Sequence, residues 1–252
     1  MARMSARART LAWGWLLAVV AMLAFSAAGR WQLGRMHEKQ AMLAAAEQAL
    51  DRSRVQPLLL ASDPARSGAY DWAGGHGRIA NATVWLDSQQ REGRVGVRMY
   101  CVLLPDEGVQ ALLVDAGWWP LQGDRALPVF GCPAGGAQHV RGLLARPPSV
   151  GLVRGEALAQ QGDGRWLASR IDLAAIAAAL GLPTGIAPRV LRLDPQRQPG
   201  DAGVMLAPGE RDLEILPNTM SPDRHLGYAV QWFGLAIATL AVALVLTFRK
   251  PR

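Results

Sequence analysis

Leu226 to Phe248, LGYAVQWFGLAIATLAVALVLTF, is a run of 23 residues without a charged side chain, and Thr10 to Gly29, TLAWGWLLAVVAMLAFSAAG, is a second run of 20. At about 1.5 Å of rise per residue they cover roughly 35 and 30 Å as helices, enough for a hydrocarbon core of about 30 Å. No other stretch comes close. The sequence therefore predicts two spanning helices, one near each terminus, around a large middle region.

The charges at the short ends orient those helices. Arg3, Arg7 and Arg9 precede the first run, Arg249, Lys250 and Arg252 follow the second, and neither tail carries an acid. The positive-inside rule predicts cytoplasmic termini and an external middle. The pI of 10.4 raises the question of nucleic acid. However, six of the 27 basic residues lie in the tails, leaving 21 against all 20 acids. The middle is nearly neutral, with no basic stripe to neutralise phosphates, so no nucleic-acid partner is expected. A cleavable leader fits Ser26, Ala27 and Ala28 loosely. The apolar run exceeds a usual leader core and carries Trp13 and Trp15 near one end, so a retained helix is expected.

Past the first span, RWQLGRMHEKQAMLAAAEQAL (residues 30–50) is rich in helix formers and has no proline. It predicts a helical stalk, solvated by Glu38 and Lys39, with Trp31, Leu33, Met36, Met42 and Leu43 available to the domain. From Val55 the pattern changes to short apolar runs split by Gly, Pro, Asp and Asn. Strands are expected at Gly77–Leu86, Val97–Leu104, Ala111–Ala116, His139–Leu144, Trp166–Ser169 and Arg189–Leu193. Pro105-Asp106-Glu107-Gly108 should close a hairpin. One helix is expected, capped by Asp172, with Leu173, Ile176 and Leu180 on one face and Gly181 and Pro183 ending it. Asp194 to Pro208 reads as a long loop. The Gly74-Gly75-His76-Gly77 run also reads as a loop, and not as a phosphate cradle.

The expected fold class is thus membrane α+β: two terminal transmembrane helices flanking a β-rich external domain, a small barrel or sandwich with one or two short helices. The expected boundaries are 1–9 for a cytoplasmic tail, 10–29 for the first span and 30–50 for the stalk. They continue with 51–221 for the external domain, 222–248 for the second span and 249–252 for a tail. Cys101 and Cys132 lie in the external region, where a disulfide is allowed. Two unrelated small buried residues is the expectation.

No enzyme motif is present: G-x-S-x-G, H-E-x-x-H, the P-loop and C-x-x-C are all missing. The second span has a marked start, with Ser221 as N-cap, Pro222 at the first helical position and Asp223 facing the dipole. That places His225 in the first turn, with Tyr228 and Trp232 following at i+3 and i+7 on one face. Such a face is either an interfacial aromatic belt or a neutral imidazole offered to a metal or haem iron beside stacking surface. Arg30, Arg35 and Arg224 fall near the same level. They suit haem propionates or anionic lipid head groups, lipid being the simpler partner.

Two segments together carry a resemblance. Gly29-Arg30-Trp31-Gln32-Leu33-Gly34-Arg35, with Lys39 after it, resembles the G-x-W-Q-x-x-R-x-x-x-K signature of the Surfeit locus protein 1 family. His225-Leu226-Gly227-Tyr228-Ala229-Val230-Gln231-Trp232-Phe233 resembles its H-L-x-Y-A-x-x-W-F signature. Leu113 to Pro120 looks like the family's V-x-R-G-W-x-P segment, with Ala116 where arginine is usual. Arg125 and Arg141 are the candidates to replace it. Val140-Arg141-Gly142-Leu143 with Pro147 looks like its V-x-G-x-L-x-x-P strand.

The resemblance implies a role in cytochrome c oxidase assembly in a bacterial inner membrane, in the step that delivers haem A to the catalytic subunit. It offers the catalytic subunit and other assembly factors as partners, beside membrane lipid. It makes His225 the axial-ligand candidate, flanked by Tyr228, Trp232 and Trp31, with Arg30, Arg35 and Arg224 for the propionates. The expected function is not enzymatic. The alternative is a scaffold that binds no haem and stabilises an oxidase assembly intermediate. A membrane sensor fits less well, because tails of about 9 and 4 residues leave no room for an output domain. A copper carrier is also disfavoured, since Met99 and Cys101 have no companions in a recognisable motif.

Overall fold

The computed structural model describes residues 6–51, 54–108, 110–123, 125–149, 155–196, 209–216 and 219–249. The chain forms two compact units, Met1–Leu43 with Thr219–Arg252, and Ala44–Asn218. The loop expected from Asp194 to Pro208 lies outside the described residues from 197 onward, as do the ends of both tails.

The first span and the stalk are one helix. α1 runs unbroken from Ala6 to Asp51; nothing between Gly29 and Leu50 interrupts its hydrogen-bond ladder. α3 runs from Pro222 to Phe248. Ser221 takes the N-cap position, but its side chain makes no capping bond; Pro222 supplies the fixed φ of the first turn instead. Both helices are long and apolar enough to cross a membrane. Their apolar side chains face outward: Leu17, Leu23, Ile237 and Val245 are each about two-thirds exposed (66–68% and 65%). A water-soluble helix buries that stripe, so the pattern is that of a membrane protein.

Within this unit the helices pair antiparallel. The Trp15 indole Nε1 donates to Thr247 Oγ1 at 2.9 Å. Phe25 stacks on Trp232 with centroids 5.8 Å apart. Gly29 lies under the ring of Phe233, where a Cβ would come within 2.8 Å of ring carbon. Close approach at a glycine is how spanning helices gain dispersion contact without a hydrophobic driving force.

The second unit is strand-rich. Its strands are β1 (Gln56–Pro57), β2 (Asp71–Arg91), β3 (Arg94–Pro105), β4 (Ala111–Pro120), β5 (Gly135–Ala145), β6 (Leu158–Gln160), β7 (Arg165–Ala168) and β8 (Ile186–Leu193). All belong to one sheet, not the two of a sandwich. Its pairings return to their start: β2 bonds β3, β3 bonds β4, β4 bonds β8, β8 bonds β5, and β5 bonds β2 again. Neighbouring residues alternate between two faces, as a pleat requires. Trp85, Met99, Cys101, Leu112, Val114 and Leu191 fill one core. Val84, Tyr100, Val102, Leu113 and Val190 fill the other, together with Ile176 and Ala177 of α2 (Leu173–Ala179). With both faces covered, Met99 to Leu103 is wholly buried. The Asp172 carboxylate caps α2 by accepting from Ala175 N at 3.0 Å, as its sequence predicts.

Two expectations fail here. Gly74 to Gly77 is not a loop but the middle of β2, paired with β5 and, at Gly77, with β3 as well. A Cβ on Gly77 would lie 2.5 Å from the Leu104 carbonyl oxygen, so these glycines mark crowding between strands and not a turn. His76 thereby faces His139 directly across the β2–β5 ladder, ring centroids 4.7 Å apart. The cysteines are also not unrelated: Cys101 and Cys132 form a disulfide with Cα atoms 5.6 Å apart. The segment after β4 turns back across β3, where Cys132 N donates to Thr83 Oγ1 at 2.8 Å. Phe130 there completes an aromatic cluster with Trp85 and Trp119.

Three carboxylates knit the charged groups of this unit, the buried Asp115 accepting from Arg98 at 2.9 Å. Asp71 accepts from Arg66 at 2.5 Å and from the fully buried Arg189 at 2.7 Å. Asp212 accepts from Arg98 and Arg192 at 2.7 Å each and from Arg91 at 2.8 Å. It thereby fastens the segment 209–216, whose Glu210 also bridges to Trp118. Burial alone raises Asp71 and Asp212, yet the arginines outweigh it and hold both carboxyls below the usual carboxylate range.

Candidate functional site

On α1, Gln32, Met36 and Lys39 recur at intervals of four and three, so they share one stripe. All three are buried, at 8%, 9% and 6% exposure. Opposite them, the first turn of α3 buries His225 and the next buries Ala229. The start of that helix fixes the imidazole's height: Ser221 O accepts from His225 N at 3.3 Å, so the ring leaves from the first closed turn.

His225 Nδ1 lies 2.6 Å from Gln32 Oε1. An amide oxygen only accepts, so the imidazole donates from Nδ1, and its neutral form keeps the lone pair on Nε2. Nε2 is itself buried and has no hydrogen-bond partner among the described residues. The indole nitrogens of Trp85 and Trp166 are also buried without a partner, but they are donors, whereas Nε2 can offer a basic lone pair. An imidazole whose Nδ1–H is held by a neighbouring oxygen while Nε2 stays open is the arrangement seen in metal-ligating histidines. The donor set fits a haem iron: one neutral nitrogen, with aromatic and apolar side chains on the same helices.

Seven residues beyond Gln32, two helical turns along α1, the Lys39 ammonium donates to Thr219 Oγ1 at 3.0 Å. No carboxylate is in contact with it among the described residues, since its neighbour Glu38 is taken by Arg35 at 2.5 Å. The expected solvating role of Lys39 is therefore not what forms.

The other expected site residues scatter. Trp31 is 62% exposed and Tyr228 44%, both far more open than the buried imidazole. Trp232 turns to Phe25. Arg30 and Arg224 are exposed, and Arg35 pairs with Glu38. Sequence reasoning passed over Gln32 and Lys39, although both stand in the first signature. Their shared stripe with Met36 was the available signal.

Ala116 is wholly buried in the core. Of the two candidates, Arg125 bonds Asp87 at the surface, and Arg141 lies over the Trp72 ring at 5.3 Å. Met99 is buried and the Cys101 sulfur is held in the disulfide, which removes both from metal binding.

The two sequence signatures thus meet in space. Gly29 receives Phe233, and Gln32 holds His225 across 193 residues of chain. A search of curated proteins found no match to this chain. A sequence model of the SURF1 family matches residues 19–237, which include both signatures and the whole strand-rich unit.

Proposed function

The chain belongs to the SURF1 family, which is associated with cytochrome c oxidase assembly, and from that premise we propose that it is a non-enzymatic assembly factor assisting haem A delivery to the oxidase's catalytic subunit. It would work from a bacterial inner membrane with both termini cytoplasmic and the strand-rich unit in the periplasm, meeting the catalytic subunit and other assembly factors there. The basic tails support that orientation. The Cys101–Cys132 bond supports it independently, because disulfides persist in the periplasm and not in the cytosol.

The observation that carries the haem reading is the open Nε2 of His225 beside its Gln32-held Nδ1. In this reading His225 would hold the iron through Nε2, and Gln32 would fix the tautomer and ring direction. The bound group would bring the redox-active iron that the oxidase needs. Transfer requires a reversible site, which a single imidazole provides and the covalent attachment motif would not.

Purified protein reconstituted with haem A is expected to show a shifted Soret band that His225→Ala abolishes. A spectrum identical in wild type and variant removes the ligand role. The burial of His225 against Gln32 also suits a scaffold that binds no haem. That reading predicts haem-free purification from a haem-A-producing cell and normal oxidase assembly with His225→Ala.

A further inference from the structure

Lys39 is the feature of the helix pair that packing leaves unexplained. Its side chain belongs to a residue only 6% exposed, in a stripe otherwise formed by Gln32 and Met36. A buried ammonium is costly unless an anion balances it. Here its hydrogen bond among the described residues reaches a neutral hydroxyl, Thr219 Oγ1 at 3.0 Å. The nearest acid in sequence, Glu38, is bound to Arg35 on the exposed side. An ammonium has three donors, so two are available for an oxygen ligand. A lysine serving only to coat the helix would extend its amine to water.

We propose that Lys39 is the anion receptor of the His225 site, taking a carboxylate on the rim of the ligand whose metal His225 coordinates. This rests on the haem reading and adds the residue that selects an acidic porphyrin over a neutral one. Two turns of α1 separate Gln32 from Lys39, about 10 Å of rise, so the metal-facing and anion-facing groups are distinct points of one stripe. The assignment moves carboxylate recognition from Arg30, Arg35 and Arg224 to a cation less exposed than any of them. A charge-assisted bond is stronger there than at an exposed arginine.

The test uses the full-length protein in zwitterionic detergent, titrated with ferric protoporphyrin IX and with its dimethyl ester, both read at the Soret band. Wild type should bind the free acid at least tenfold more tightly than the ester, the least expected of one charge-assisted bond. Lys39→Met should bind both at the ester's affinity, and Lys39→Arg should keep the preference. Without porphyrin, Lys39→Met should melt at or above the wild-type temperature, because it removes a buried charge that has no counter-ion.

If Lys39→Met keeps the tenfold preference while His225→Ala still abolishes the Soret shift, the Lys39 assignment is wrong and the haem reading stands. The assignment also fails if Lys39→Met loses only affinity for vesicles containing anionic phospholipid, since its partner is then a lipid phosphate. A fall of several degrees in the porphyrin-free melting temperature overturns it in favour of a structural lysine. No Soret shift in wild type with either porphyrin overturns the haem reading and this inference with it.

Discussion

Gly29 has no side chain, and the Phe233 ring fills the space where one would stand, with ring carbon 2.8 Å from the position of a Cβ. A Gly29→Val substitution should therefore force the helices apart, at the cost of about 1–3 kcal/mol typical of overpacking. In detergent the full-length variant should melt below wild type, whereas Gly14→Ala, which meets open space, should not. Equal melting of all three proteins would mean that the α1–α3 contact contributes little. At this scale the sequence was partly legible. His225 could be singled out from its place in the first turn of α3, and the glycine from its signature. Gln32 and Lys39 could not be given roles, because an amide and an ammonium beside a membrane usually face water. Only their shared stripe with Met36, against a partner helix 190 residues away in the chain, gives them a buried setting.

Among the elements, strands announced themselves wherever β-branched and aromatic residues alternate, as in β3 and β4. They were hidden where close packing demands glycine, so β2 begins before Gly77 and reads as a loop at Gly74 and Gly75. The disulfide was likewise invisible, because it depends on the segment after β4 turning back across β3. It closes a loop of 31 residues, and constraining such a loop in the unfolded chain is worth about 3–4 kcal/mol. Replacing Cys101 and Cys132 together by alanine should lower stability by that order, and reductant should then have no further effect. Reductant should shift the melting of wild type alone. A wild type indifferent to reductant would argue that Thr83 and the Trp85–Trp119–Phe130 cluster already hold the segment.

For the molecule as a whole, acid sensitivity follows from Asp71 and Asp212. Their carboxyls sit lower in the folded protein than the roughly 3.9 of an unfolded aspartate. The unfolded chain therefore takes up protons first as pH falls. The stabilisation is complete above that unfolded value and is lost as pH drops through the folded values. Stability should be flat from pH 7 to about 5 and decline below about 4. Asp212→Asn leaves the buried Arg98 and Arg192 to share Asp115, and should cost about 1.5–3 kcal/mol at neutral pH. Its acid limb should be shallower than that of wild type in denaturation curves of the full-length protein; parallel limbs would assign the acid loss elsewhere. The two-helix frame was legible from its charge-free runs alone. The closed circuit of strand pairings was not, since β4–β8 and β5–β8 join segments whose neighbourhood no local pattern encodes.

The helix pair is tied by hydrogen bonds at two levels, Trp15 to Thr247 at one and His225 to Gln32 at the other, with Gly29 seated under Phe233 between them. Sliding one helix along the other by a single turn would break all three ties at once. The pair is thus coded like a key in its ward: α3 supplied as a separate polypeptide should dock on α1 in one alignment only, which makes the chain a natural candidate for division into two complementing halves.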